Sequence, residues 1–504
     1  MESNGSVQPP DETDSPEWLT SSHGHYGSTA NSMLSLASRP DGNPVVSRTR
    51  AHIIVAVLCY INLLNYMDRY SLAGVLLNIQ LFFQLSDSIA GLLQTIFICS
   101  FLLVAPLFGY LGDRYNRTYI MVCGLLVWMV TATGSSFVSQ SQFWLLLLLR
   151  GLIGIGEASF TTIAPTVIGD LFTGQKQSIM ISLFTICMPF GSGLGYIVSS
   201  SVASHTGDWR WALRVTPILV LLGLILLLIT CPDLPRGASV DQPTRPGSYW
   251  DDVKYLVKNK SYFWSTWGVT SLCFVIGALS FWMPSFLYRA RVTQGLLAPC
   301  LVQPCDSTDS KIFGGVTLVT GFLGVIVSTI LSRWLRPKMP NVDALICFAD
   351  MAASLPCVFI VIFVAPSSIP ATYVFIFISE LLLFMNWPII ADMALYVVVP
   401  RRRSSAQAFQ ITLCHLLGDA TSPYIIGAIS DAINKSKLDV TEFYGQQYSF
   451  LVLPGILVLG ALFFFITSRH LEKDRVAAQF SDEDSPPCDS TSQLPVQSNG
   501  EQKM

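Results

Sequence analysis

Twelve stretches of about 20 mostly apolar residues follow one another between residues 52 and 468, which leaves the chain few folds. Inside lipid each backbone N–H and C=O needs a partner within its own segment, so such runs read as membrane-spanning α-helices. The runs are 52–77, 88–110, 118–138, 142–164, 177–203, 212–231, 262–288, 312–332, 343–364, 370–398, 405–431 and 447–468. A polar stretch with several prolines, 232–261, divides them six and six. Apolar residues make up 51% of the 504 and charged residues 12%, about half the charged share of a soluble protein. The expected fold class is therefore an all-α membrane protein. With the N-terminus inside, roughly 21 of the 30 Lys and Arg fall on the cytoplasmic side, and an even number of crossings returns the C-terminus there.

The domain plan is a disordered cytoplasmic tail over 1–50, a six-helix bundle over 51–231, a cytoplasmic linker over 232–261, a second six-helix bundle over 262–470 and a disordered tail over 471–504. The first tail lacks an apolar run, so no cleavable signal peptide is expected. Within the linker, Trp250-Asp-Asp-Val-Lys-Tyr-Leu-Val-Lys258 reads as a short amphipathic helix lying on the membrane. The net charge of −3 comes without a basic block, which excludes nucleic acid as a partner. Most of the twelve cysteines lie singly in apolar runs as small packing residues, and no metal spacing stands out. There is no His-Glu-x-x-His, no Gly-x-Ser-x-Gly elbow and no paired nucleophile and base, so an enzyme is not expected.

Four charges stand out within the apolar runs: Asp68 and Arg69 in the first, Arg150 and Glu157 in the fourth. A charge at membrane depth costs at least a few kcal/mol, so it marks a substrate or proton pathway unless it is paired for structure alone. Arg150 and Glu157 share a helix face about 10.5 Å apart along the axis, too far to pair unless the arginine reaches down. Asp68 and Arg69 point about 100° apart. Each therefore needs a partner elsewhere. One arrangement has Asp68 and Glu157 exchanging a proton while Arg69 and Arg150 compete for the carboxylates or for a substrate phosphate. In the second half, Glu380 lies close to mid-membrane, followed by Asn386, Trp387 and Asp392 on the same helix. His415 and Asp419 are four apart on one face and can share a hydrogen bond, for structure or for coupling. Asp350 and Asp431 have no assigned role.

Shorter motifs add mechanical meaning. The turn after the second run, Gly109-Tyr-Leu-Gly-Asp-Arg-Tyr-Asn-Arg117, combines small residues for close helix approach with Asp113, Arg114 and Arg117 for a charged latch. It resembles the Gly-x-x-x-Asp-Arg-x-x-Arg signature of the major facilitator superfamily. The equivalent turn, Ser332-Arg-Trp-Leu-Arg-Pro-Lys338, lacks the aspartate, so that latch is degenerate or differently built. Pro189-Phe-Gly-Ser-Gly-Leu-Gly195 is not a nucleotide loop, since it neither follows a soluble strand nor opens a soluble helix; it reads as a kink and small residues at a helix crossing. The strings Asn65-Tyr-Met-Asp-Arg69, Arg150-Gly-Leu-Ile-Gly-Ile-Gly-Glu-Ala-Ser159, Gly191-Ser-Gly-Leu-Gly-Tyr196, Trp209-Arg-Trp-Ala-Leu-Arg214 and His415-Leu-Leu-Gly-Asp419 resemble the Spinster family of lipid transporters within that superfamily.

The resemblance implies a major facilitator superfamily fold, twelve transmembrane helices in two six-helix bundles, and alternating access for a sphingoid phosphate or lysophospholipid with proton coupling. On that footing Asp68, Glu157 and His415 are expected to carry the proton, and Arg69, Arg150, Glu380, Asn386 and Trp387 to bind the substrate. Gly109, Asp113, Arg114 and Arg117 form the latch. No cofactor is expected, and the unit is a monomer. The competing readings are a lysosomal lysophospholipid exporter, a facilitator of another amphipathic anion and a non-transporting lipid sensor. Neither tail holds an acidic di-leucine signal, which favours the plasma membrane over the lysosome. Among the outside loops, Cys300 and Cys305 are a candidate disulfide or a reduced pair, and Asn434-Lys-Ser436 is a candidate glycosylation site close to the membrane.

Overall fold

The computed structural model describes residues 46–232, 249–399, 402–436 and 442–483. The N-terminal tail up to residue 45, the linker over 233–248 and the chain beyond 483 lie outside the described residues. The first half runs through α1 (Arg48–Gly74) with its short continuation α2 (Leu76–Phe83), α3 (Asp87–Arg114), α4 (Arg117–Ser135), α5 (Phe143–Leu171), α6 (Gly174–Thr206) and α7 (Arg210–Thr230). After α8 (Tyr249–Lys258), the second half runs through α9 (Lys260–Thr293), α10 (Thr308–Leu335), α11 (Val342–Val364), α12 (Ile369–Val397), α13 (Arg403–Cys414), α14 (Ser422–Ser436), α15 (Glu442–Ser449) and α16 (Val452–Glu483).

Among the described residues, eleven helices are long and apolar enough to cross a membrane. The expected eleventh crossing is the exception, because its chain breaks into α13, a π-helical turn over His415–Asp419, and α14. The break coincides with a tight crossing. A Cβ on Gly277 of α9 would stand 2.5 Å from the Asp419 Cα, and one on Gly418 would stand 2.6 Å from the Cys273 Cβ. Widened turns of this kind recur at functional sites. The helix after the last crossing also corrects an expectation, since residues 471–483 are helical rather than disordered. Leu471 and Ala478 are buried there, and Asp474 accepts a bond of 2.8 Å from the Ser261 backbone N–H at the start of α9. Helix α8 packs against α9: Leu256 is buried, and Asn259 beyond it donates to the Val397 carbonyl at 2.9 Å.

The two halves repeat one packing scheme. In the first, α4 packs on α5, α3 on α5, α4 on α7, and α1 on both α6 and α7; in the second, α11 packs on α12, α10 on α12, α11 on α16, and α9 on α16 and the π-turn. Each half surrounds buried apolar residues, among them Leu58, Leu125, Phe160 and Val220 in one and Trp282, Met351, Leu383 and Phe464 in the other. The halves meet through α6 against α10 and α3 against α14. At the first crossing, a Cβ on Gly193 would lie 2.6 Å from the Gly314 carbonyl oxygen, so the glycines let the backbones touch.

In the orientation expected from the basic residues, this contact belongs to the outer side. The apolar cluster of the second bundle continues into Leu72, Leu76, Ile79 and Trp209 at the outer ends of the first. Toward the cytoplasm the same helix faces separate. Along α6 the face holding buried Pro189 continues through exposed Thr185, Ser182 and Ser178. On α14 and the turn below it, buried Gly427, Pro423 and Ala420 give way to Leu416 and Thr412, both exposed. The bundles are closed outside and splayed inside.

Candidate functional site

The buried charges divide between two places because adjacent helical residues diverge. Asp68 points into the first bundle, where Trp128 Nε1 donates to it at 3.3 Å. Arg150 and Glu157 from α5 are its electrostatic neighbours, and the Asn65 amide stands beside Glu157. All three charged residues are at most 3% exposed. No ion pair within 4.0 Å joins them among the described residues, and Glu157 Oε1 and Arg150 Nε have no hydrogen-bond partner. The set is loosely paired, and a second guanidinium, Arg69, is also an electrostatic neighbour of Glu157.

Arg69 leaves the bundle. Its Nη2 meets Asp419 Oδ2 on the π-turn at 2.9 Å, with the Phe97 ring 5.5 Å away, and Asp419 is bonded in turn to His415 Nδ1 at 2.8 Å. Arg69 thus pairs with the opposite bundle while it stays an electrostatic neighbour of Glu157. These side chains are partly exposed, with relative side-chain areas of 14% for Arg69, 17% for Asp419 and 24% for His415.

Glu380 of α12 accepts from Thr317 Oγ1 at 3.1 Å and from Thr320 Oγ1 at 3.1 Å. It lines a cavity between the bundles, with Tyr70, Ser192 and Tyr196 from the first and Ser280, Leu383 and Phe384 from the second. The Tyr70 and Tyr196 ring centroids lie 5.5 Å apart, and Tyr196 donates to the Ser280 carbonyl. The cavity measures about 30 Å3, room for about two waters, so a larger guest needs the halves to part.

Asn386 and Trp387 do not line this cavity. Asn386 is fully buried with its amide on the Leu382 carbonyl at 2.9 Å, as befits a residue turned about 240° from Glu380 along the helix. Trp387 shares the Glu380 face but sits two turns nearer the cytoplasm and packs against the apolar core. Sequence reading passed over Tyr70, Thr317 and Thr320, ordinary residues in apolar runs that only the fold brings to Glu380.

At the inner ends, Arg117 pairs with Asp170 and donates through Nε to the Gly112 carbonyl at 3.2 Å, tying α3, α4 and α5. The Arg114 guanidinium lies over the Tyr110 ring at 4.4 Å, Asp113 is exposed, and nothing approaches the open side of Gly109 within 4 Å. The second half has its own version: Arg336 meets Asp343 at 2.8 Å and Asp392 at 2.5 Å, and Tyr396 donates to Asp343 at 2.7 Å. On the outside, Cys300 and Cys305 are bonded with Cα atoms 5.4 Å apart, and their loop docks on the first bundle through Cys305 N to Asn78 Oδ1 at 2.9 Å. Asn434 lies within α14 with its amide packed against Gly445, so the sequon is not held out for a glycan.

A family model for the Major Facilitator Superfamily matches residues 58–423. Protein spinster homolog 3 of Danio rerio is 57% identical over 88% of this chain and 91% of its own length. The chain belongs to the Spinster family of the major facilitator superfamily. Protein spinster homolog 1 of Homo sapiens is 50% identical over 86% of this chain and 84% of its own length. Among solved structures, a bacterial homolog to human lysosomal transporter Spinster, inward-facing and unoccupied, superposes with a TM-score of 0.72 at 19% identity, covering 85% of this chain and 99% of that one. A D-xylose-proton symporter superposes with a TM-score of 0.59 at 18% identity, covering 82% and 97%. The Spinster chain is thus a multi-pass membrane transporter with two six-helix bundles.

Proposed function

We propose that this Spinster chain is a proton-linked secondary transporter of a single-chain phospholipid, sphingosine 1-phosphate or a related lysophospholipid, working as a monomer by alternating access. The observation that carries the reading is two charged positions at the junction of the bundles. Glu380 sits among threonine hydroxyls in the cavity between them, and Arg69 crosses from one bundle to Asp419 of the other. A primary ammonium suits Glu380, because it donates where the threonine hydroxyls now donate. The phosphate suits Arg69, whose planar fork matches it and exchanges Asp419 for it. The aliphatic and aromatic walls take the tail.

Proton coupling follows from charge. Asp68, Glu157 and Asp419 supply three negative charges against two on Arg69 and Arg150, so with His415 neutral the set is one proton short of neutrality. An uncompensated charge at this depth costs several kcal/mol, and one proton relieves it. When the phosphate takes Arg69, Asp419 keeps His415 as its partner, which links the substrate to that proton.

On compartment we infer the plasma membrane, from the tails' lack of an acidic di-leucine signal. The lysosomal membrane is the competing reading, because the solved bacterial neighbour is described as a homolog to a human lysosomal transporter. Fractionation against surface and lysosomal markers separates the two. Substrate class is tested by a transport panel of sphingosine 1-phosphate, lysophosphatidylethanolamine and lysophosphatidylcholine at two pH values. The two primary amines are expected to move faster than the quaternary one, and a panel in which none exceeds the empty-cell background sinks the proposal.

A further inference from the structure

The outer ends of the bundles are joined by a buried charged cluster that the transport site does not use. Arg289, near the end of α9, forks onto Asp87, the first residue of α3, with Nη2 to Oδ1 at 2.7 Å and Nη1 to Oδ2 at 2.9 Å. Gln80 donates to Asp87 Oδ1 at 2.9 Å and Ser430 to Oδ2 at 2.7 Å, while Gln446 accepts from Arg289 Nη1 at 3.0 Å. Asp87 is 5% exposed and Arg289 8%.

Beside this pair, Asp431 of α14 reaches across the bundles and accepts the backbone N–H groups of Asp87 at 3.0 Å and Ser88 at 2.9 Å, together with the Ser88 hydroxyl at 2.5 Å. Those amides are the free donors at the start of α3, which its own chain leaves uncapped: the Ser86 side chain makes no capping bond. A helix of the first bundle is therefore capped by a carboxylate of the second, where its positive end favours an anion. We propose that Asp431, Asp87 and Arg289 are the outer gate, a lock whose bonds exist only while the outer side is shut. Parting the bundles uncaps α3 and breaks the fork in one event. The closed state is favoured by the sum of both, so a substrate-dependent change elsewhere must overcome them for the outer side to open. The inference rests on the bundle packing and stands apart from any choice of substrate.

The test is accessibility from each side of the membrane in the full-length chain, with exposed Cys123 changed to serine. Ser310→Cys reports the outer interface, since Ser310 is 6% exposed between the bundles, and Ser182→Cys reports the exposed inner face of α6. Labelling is followed with a membrane-impermeant maleimide, on intact cells for Ser310→Cys and on inside-out vesicles for Ser182→Cys. In Asp431→Ala and Arg289→Gln, the outer site is expected to label about tenfold faster and the inner site more slowly, as loss of a cap or of a charged bond implies. Where either variant fails to reach the membrane, Ser88→Ala and Ser430→Ala, which each remove one hydroxyl bond, decide with an expected two- to threefold rise outside and no rise inside. Unchanged labelling at both sites overturns the proposal. So does faster labelling at both, which marks a loosened fold rather than an opened gate.

Discussion

Asp68 and Arg69 are neighbours in sequence and make their hydrogen bonds in different places. One faces Trp128 inside its bundle, and the other crosses the cleft to Asp419. That divergence was legible, because helical geometry alone sets the two side chains about 100° apart. The partner of Arg69 was not, since nothing in local spacing links residue 69 to residue 419. Sequence did place His415 with Asp419, a contact within one helix turn. Two substitutions examine the site at this scale. Glu380→Gln keeps a group that the threonine hydroxyls can bond but removes the charge, so uptake of a primary-amine lipid is expected to fall 10- to 100-fold, in line with about 1.5–3 kcal/mol for a charged hydrogen bond. Uptake of an N-acylated analogue is expected to change far less, and equal losses for both lipids would remove the amine from the account. Arg69→Lys keeps the charge and loses the fork, so transport is expected to fall about tenfold with normal surface level. A lysine variant that transports like the parent would mean that Arg69 does not grip a phosphate.

Elements were easier to read than sites, because length and hydropathy mark a crossing regardless of its neighbours. Their failures are informative. The eleventh crossing reads as one apolar run, yet the chain widens at His415–Asp419 where α9 presses on it. The last helix runs on to Glu483 because Asp474 caps α9 and Leu471 is buried, tertiary contacts that composition does not record. The inner turn of the second half, lacking the motif aspartate, draws Asp343 and Asp392 to Arg336 instead. At the α6–α10 crossing, Gly193→Val would press a side chain against the Gly314 carbonyl, within 2.6 Å of the first added carbon. Overpacking of this kind costs about 1–3 kcal/mol, so the expected result is a lower melting temperature and at least a tenfold loss of transport. A variant matching the parent in both would show that the crossing need not be tight.

At the scale of the whole molecule, the six-plus-six division and the repeated packing scheme were legible, while the asymmetry between the two faces was not. Closure depends on long-range pairs such as Gly193 with Gly314 and Asp431 with Asp87, which lie far apart in sequence. The outer side is joined by polar bonds and a continuous apolar cluster, and the inner helix faces splay. In this state the cleft faces the cytoplasmic side, and a guest larger than two waters enters it only as the halves move. The central claim, that movement of a zwitterionic single-chain lipid is tied to a proton held by the buried carboxylates, meets its most direct test in one measurement. Radiolabelled sphingosine 1-phosphate is followed into proteoliposomes with and without a pH gradient, for the parent chain and for Glu157→Gln. The account predicts accumulation above protein-free vesicles, a severalfold change of initial rate with the gradient in the parent, and no response to the gradient in the variant. Equal rates with and without the gradient in the parent, or a variant that responds as the parent does, would contradict it.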